Sequence, residues 1–219
     1  TDTGVGKTWM TAALVQTLAD RGLRVAGFKP LACGGHNTEQ GWRHEDAELL
    51  IRHNSVALPY ETVNPYLFRE PVAPHIAAAR RGLRLTAVAL HEACTALEEP
   101  LDYRIIEGVG GWQVPLNDEE TTADFARRLG LPVILVVGLR LGCLNHALLT
   151  ADAVARHNLK LAGWIANVID PSMGYSQENI AALEARLPAP RLGTVPYLQG
   201  FNAERIAAAL DVELLGARG

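Results

Sequence analysis

Lysine is scarce in this chain. Of 20 basic residues only Lys7, Lys29 and Lys160 are lysine; the rest are arginine. Long apolar runs are missing too: the longest, Leu131 to Leu139, contains Pro132 and Gly138 and is too short to span a bilayer. There is no excess of positive charge. A formal net charge of −4 and a sequence pI near 6.0 give no electrostatic case for a nucleic-acid partner. Cysteines are few, at positions 33, 94 and 143, odd in number and outside any metal-ligand spacing, which favours a reducing cytoplasm. Nothing at the start reads as a secretory leader. The expectation is a cytoplasmic protein with neither a membrane nor a nucleic-acid partner.

What is present is enough for one large domain over residues 1–219: 48% of the chain is hydrophobic, with no repeat, low-complexity tract or second domain visible. In so arginine-rich a chain the lysines carry weight, because a compact ammonium on a flexible stem suits phosphate well.

Thr1-Asp2-Thr3-Gly4-Val5-Gly6-Lys7-Thr8 ends in Gly-Lys-Thr, the working half of a phosphate-binding loop. In such a loop backbone N–H groups wrap a phosphate, the lysine reaches the outer phosphates and the hydroxyl ligates Mg²⁺. The usual G-x-x-x-x-G-K-[ST] spacing would put a glycine at position 1, where this chain has Thr1. A feeding strand and a glycine upstream of Thr1 are therefore expected.

Further along, apolar periodicity predicts alternating helices and strands. Helices are expected over Trp9–Asp20, Asp46–His53, His75–Arg81, Thr86–Glu98, Thr122–Leu129, Leu144–His157, Gln177–Leu187 and Ala203–Leu210. Strands are expected over Val25–Phe28, Tyr103–Ile106, Val133–Val137, Leu161–Ala166 and Leu192–Val195. Cys33–Thr38 and the Pro-rich Pro59–Pro74 read as loops. The alternation means α/β, with a mainly parallel sheet, helices on both faces and a phosphate-loop NTPase-like single domain.

Ligands of such sheets bind at the carboxyl ends of the strands. Lys29 ends one strand, Glu107 ends another, and Asp46 opens the helix after the loop that Lys29 begins. Glu107 resembles the carboxylate that holds Mg²⁺ beside a nucleotide, with Thr8 and Asp46 as partners. Asp46 has an equal claim as an acid favoured by a helix dipole, and Glu107 a lesser one as a plain loop acid. Gly108-Val109-Gly110-Gly111 lets backbone approach a ligand. His36 and His44 lack zinc spacing and read as solvated loop histidines; Cys33 reads as a small residue lining the site. Leu139–His146 joins a strand to a helix N-terminus that could take a carboxylate, unless Asn145 merely caps the helix.

Together these motifs resemble the dethiobiotin synthetase family, over nearly the whole chain. The resemblance rests on Thr1–Thr8, Gly27-Phe28-Lys29-Pro30, Val63-Asn64-Pro65-Tyr66 with Pro71–His75, Glu107–Trp112, Leu141–His146 and Trp164-Ile165-Ala166-Asn167, in that order. It implies a homodimeric ATP- and Mg²⁺-dependent ligase, with the substrate site at the subunit interface, that makes dethiobiotin from 7,8-diaminopelargonate and CO₂ or bicarbonate. It also implies roles. Thr3, Lys7 and Lys29 would be catalytic, and Thr8, Asp46 and Glu107 would hold Mg²⁺. ATP would contact Thr3, Gly4, Val5, Gly6, Lys7, Thr8, Glu107, Gly110, Asn167, Pro196 and Leu198. The diamine would contact Thr3, Lys29, Cys33, Gly110, Gly142, Cys143, Leu144 and Asn145. Two positions depart from the family pattern: Cys33 stands where Ser or Thr is common, and Gly4 where some members have Glu.

Two other readings share the fold. Partitioning or septum-positioning ATPases carry a signature lysine near the loop start, where this chain has Asp2, and a basic surface or tail; Phe201–Gly219 offers only Arg205 and Arg218. An amidating ligase would need a glutamine-hydrolysing domain, for which 219 residues leave little room.

Overall fold

The computed structural model describes residues 1–97 and 99–216. Glu98, the expected end of one helix, and Arg218 of the C-terminal stretch lie outside the described residues. The architecture is α/β with mainly parallel strands. It divides into two compact units: Thr11–Leu129, and Thr1–Met10 with the chain from Gly130 onward.

Helix α1 (Lys7–Ala19) starts at the phosphate loop and runs into the Thr11–Leu129 unit. That unit continues with β1 (Val25–Phe28), β2 (Leu31–Cys33), β3 (His36–Thr38), β4 (Gly41–Arg43), α2 (Glu45–His53), α3 (Tyr60–Val63), β5 (Tyr66–Phe68), α4 (Pro74–Ala79), α5 (Ala87–Thr95), β6 (Tyr103–Ile106) and α6 (Thr122–Leu129). Strands β1 and β6 pair in parallel, Phe28 beside Ile106. Successive side chains of a strand point to opposite faces. Val25 and Ile105 accordingly pack with Val15 and Leu18 of α1, while Ile106 packs into a second cluster with Leu90 and Cys94 of α5 and Phe125 of α6. Helices thus cover both faces of this pair. At Gly27 an added Cβ would meet Val15 at 3.2 Å and Leu50 at 3.3 Å, so glycine there admits α1 and α2 against the strand.

The other unit follows the loop with β7 (Val133–Leu139), α7 (Cys143–Arg156), β8 (Leu161–Val168), α8 (Ser176–Glu184), β9 (Arg191–Val195), α9 (Ala203–Ala207) and α10 (Glu213–Gly216). Its sheet has the order β7-β8-β9, all parallel. One face carries Leu135, Val137, Leu139, Trp164 and Ala166 into a core with Ala147 and Ala151 of α7 and Ile180 and Leu183 of α8. Gly138 and Asn167 are register partners on the opposite face. Among the described residues no helix is long and apolar enough to cross a membrane.

The strands of four or more residues lie where the sequence places them, to within two residues at their ends. The expected loop at Cys33–Thr38 is instead the end of β2 and the first strand of the β3–β4 hairpin. Its polar, part-exposed residues have no apolar alternation to read; the guanidinium of Arg69 stacks on Trp42 at 4.5 Å. The Pro-rich stretch likewise holds α3 and β5, each too short for a periodic signal.

Candidate active site

The phosphate loop opens the Gly130-containing unit. Gly4 and Gly6 have φ of 73° and 90°, in the left-handed region that glycine enters without strain, and α1 begins one residue later. Lys7 and Thr8 therefore occupy a helix's first turn, where N–H groups lack intrahelical acceptors and the dipole favours anions. The Lys7 ammonium folds back on the loop and donates to the Asp2 carbonyl at 2.5 Å. The Asp2 carboxylate meets Arg140 at 2.9 Å and stands 4.0 Å from His146 Nδ1. Burial alone would raise the Asp2 carboxyl; the Thr3 N–H, His146 and Arg140 outweigh it and hold it below the ordinary value.

Two features seat the loop on the sheet. Val5 is buried, and an added Cβ at Gly138 would come within 3.0 Å of its Cγ1. Asn167 Nδ2 donates to the Val5 carbonyl at 2.9 Å. Asn167 is also the register partner of Val195 on β9, the residue that precedes Pro196 in the chain, with Leu198 two residues further. The turn into α7 has Gly142 at the N-cap with φ of 92°, and no side chain caps the helix. Asn145 is an exposed third residue of α7, so it does not cap; the capping alternative is corrected. The Cys143 N–H donates to the Arg140 carbonyl, and Cys143 itself is buried.

In the Thr11–Leu129 unit the parallel register delivers the charges. Because Phe28 and Ile106 are paired, the next residues, Lys29 and Glu107, leave adjacent strands side by side. The Lys29 ammonium lies 2.6 Å from Glu107 Oε1 and 2.9 Å from Asp46 Oδ2, and donates to the Gly108 carbonyl at 3.3 Å. Lys29 and Glu107 are each only 4% exposed. Burial alone would strip the charge from Lys29; Glu107 and Asp46 outweigh it and hold its pKa above the ordinary lysine value.

Three supports of this cluster have roles that the sequence reading does not assign. Asn64 donates to the Lys29 carbonyl at 2.6 Å and accepts from the Tyr60 hydroxyl at 2.9 Å, so both ends of its buried amide are used within the protein. The Tyr60 hydroxyl in turn accepts from the His44 N–H at 2.8 Å. His44 is no solvated loop histidine. It is the N-cap of α2, its Nδ1 accepting from the Asp46 N–H at 3.2 Å. Only the register of three elements brings these side chains together, and no spacing in the chain signals it. Cys33, at the end of β2, has its thiol pushed up to about 11, by burial first and then by the Glu70 charge. A thiol held so high is protonated near neutrality and lacks the thiolate that a nucleophile needs.

A family model described as an AAA domain matches residues 1–205. The ATP-dependent dethiobiotin synthetase BioD of Pseudomonas paraeruginosa (strain PA7) is 48% identical, over 99% of this chain and 95% of that one. The protein of the same name from Pseudomonas aeruginosa (strain PAO1) is 49% identical over the same shares. The chain belongs to the dethiobiotin synthetase family.

As a dethiobiotin synthetase family member it is an ATP-dependent ligase of biotin synthesis. The solved structure of Cyanthece apo McdA superposes with a TM-score of 0.51 at 16% identity, covering 99% of this chain and 90% of that one. At that identity the likeness is one of fold. Family membership therefore decides against the partitioning-type switch and the amidating ligase. The residues that the dethiobiotin synthetase resemblance implicates fall into two sets. Thr3, Gly4, Val5, Gly6, Lys7, Thr8, Gly142, Cys143, Leu144, Asn145, Asn167, Pro196 and Leu198 belong to one unit, and Lys29, Cys33, Asp46, Glu107 and Gly110 to the other.

Proposed function

We propose that this enzyme closes the ureido ring of dethiobiotin from 7,8-diaminopelargonate, CO₂ and ATP. One amine adds to CO₂ and loses a proton, giving a carbamate. A carbamate oxygen then attacks the γ-phosphorus of ATP, ADP leaves, and a carbamic–phosphoric anhydride forms. The second amine attacks the carbamate carbon, the C–O bond to phosphate breaks, and inorganic phosphate departs with the ring closed.

The observation that carries this reading is the buried ammonium of Lys29, kept charged between Glu107 and Asp46 at the carboxyl ends of parallel strands. Such a fixed cation in a water-poor site stabilises an anion at little reorganisation cost. Lys29 is assigned to the carbamate and its phosphorylated form, Lys7 to the transferring phosphoryl, and Thr3 to the reacting diamine end. Gly142, Cys143, Leu144 and Asn145, at a helix N-terminus, are assigned to the distant carboxylate. Asn167, Pro196 and Leu198 are assigned to the adenine, and Glu107 and Gly110 to the nucleotide side of the acidic turn. Cys33 lines the diamine site without chemistry of its own. The assembly is taken as a homodimer, with part of the diamine site supplied by the partner.

Asp46 and Glu107 fit a divalent ion in one tested respect: both already present carboxylate oxygens to a single cation, the Lys29 ammonium. Thr8, the third residue assigned to the ion, carries a hydroxyl, so every assigned donor is an oxygen, the ligand type Mg²⁺ takes. When bound, Mg²⁺ would offset charge on the nucleotide phosphates. Dethiobiotin formation from the diamine, ATP, Mg²⁺ and bicarbonate is the direct test, with ATP turnover followed in parallel. Turnover is expected to require both diamine and bicarbonate; equal ATP hydrolysis with and without the diamine would overturn the reading.

A further inference from the structure

We propose that Asn167 is a positioning residue for the phosphate loop, over and above any contact it makes with a nucleotide base. Asn167 is 6% exposed, near the end of β8, and its Nδ2 donates to the carbonyl of Val5 across 162 positions of sequence. Two neighbours complete the seat. Its register partner Gly138 has no side chain, which leaves room for Val5; an added Cβ would lie 3.0 Å from Val5 Cγ1. Gly6, at φ 90°, turns its bare Cα toward the Asn167 amide, and a Cβ there would collide with Nδ2. The loop is thus held by one carbonyl, one buried side chain and one Cα.

The consequence follows from peptide geometry. The unit between Val5 and Gly6 is planar and trans, so its C=O and its N–H point in opposite directions. Fixing the Val5 carbonyl on Asn167 therefore fixes the direction of the Gly6 N–H, away from Asn167. Backbone N–H groups are what a phosphate loop offers its ligand, and aiming them before the ligand arrives avoids ordering them afterwards. The carboxamide also keeps capacity in reserve. It has two N–H donors and one oxygen acceptor, and only one donor is committed to Val5. The remaining N–H and the oxygen are the pair with which asparagine grips adenine N7 and N6. One side chain can therefore hold the phosphate loop while its far edge reads a base.

This inference rests on the phosphate-loop reading above, and the experiment separates the two. Dissociation constants for ATP and for inorganic triphosphate, each with Mg²⁺, are measured for wild type, Asn167→Ala and Asn167→Leu. Nucleotide-free melting confirms that each is folded. Asn167→Leu nearly keeps the volume and removes the donor without adding a charge that would itself repel phosphate, so it stands in if the alanine variant fails to fold. Leaving a buried carbonyl unpaired is expected to weaken inorganic triphosphate roughly tenfold, and ATP by at least as much. If triphosphate binding in folded variants stays within about twofold of wild type while ATP weakens, Asn167 touches only the base and the proposal is wrong. If wild type itself binds neither ligand, the phosphate-loop reading fails, and this inference with it.

Discussion

The two units position chemistry by different physical means. Around the phosphate loop the devices are shape and backbone direction: glycines at positive φ, a missing side chain at Gly138, one amide on one carbonyl. Around Lys29 the device is buried charge, an ammonium against two carboxylates, held by a polar relay through Asn64, Tyr60 and His44. A backbone cradle tolerates changes of charge nearby but not of volume; a buried ion cluster has the reverse sensitivity. The difference suits the ligands proposed. A polyphosphate is met by many N–H groups and can be read by geometry, whereas a small transient anion needs one strong charge at a fixed point.

Lys29→Gln should break that contrast most severely. Removing one partner of a buried ion cluster leaves the other charges uncompensated, a destabilisation of about 3–5 kcal/mol. Ring formation should be crippled, with nucleotide binding largely retained because the backbone N–H groups of the phosphate loop are left unchanged. Unchanged turnover would remove Lys29 from the mechanism. The pH dependence has a definite sign. Lys29's pKa is raised above 10.5, so its contribution is fully present below that value and is lost only as pH rises through the higher folded value. The melting difference between wild type and variant should therefore persist from about pH 7 to about pH 9. A difference that fades across that window would mean the ammonium loses its proton there.

Much of this cluster is legible in the chain, and the reason is local. Val25–Phe28 and Tyr103–Ile106 are short, mainly apolar runs followed by a charge, and a charge at a strand's carboxyl end points to a ligand. That Lys29, Asp46 and Glu107 would bind one another is not legible, because it depends on Phe28 facing Ile106 across 78 positions. Asn64 and His44 hide for the same reason: their worth lies in a carbonyl and an N–H supplied by other elements. The β3–β4 hairpin is invisible because its residues bury too little to leave a pattern. At the loop, Gly4 and Gly6 announce themselves, but the matching glycine at 138 and the amide at 167 are ordinary until the strands are aligned.

Gly138→Ala sharpens the other side of the comparison. It adds one methyl and no charge, yet that methyl falls 3.0 Å from Val5 Cγ1 and 2.6 Å from Ile169 Cδ1. Ile169 can swing aside; Val5, buried and tied through its carbonyl to Asn167, has less freedom. Overpacking of this kind costs about 1–3 kcal/mol. If the cost falls on the seated loop, ATP affinity should drop about tenfold, since 1.4 kcal/mol is a factor of ten. KM for the diamine should change far less. An ATP affinity within about twofold of wild type would show that the loop does not depend on this seat.

Cys33→Ser is the smallest expected effect, and it probes the boundary of the charged cluster. Burial, followed by the Glu70 charge, pushes this thiol up to about 11, so near neutrality it is a neutral group with no nucleophilic share in the reaction. Activity should stay within about twofold of wild type, and iodoacetamide near pH 8 should not inactivate through this position. The variant should differ instead in alkaline stability. In the unfolded chain the thiol ionises near 9.0, while in the folded protein it stays protonated to about 11. Over that interval the native state binds more protons than the unfolded one, so wild-type stability falls as pH rises. Serine has no such proton to lose, and the melting temperature of Cys33→Ser should fall less steeply across the same interval. Equal slopes would mean that Cys33 is better hydrated than its place at the end of β2 implies. Rapid inactivation by alkylation that the serine variant resists would make it a reactive thiol after all.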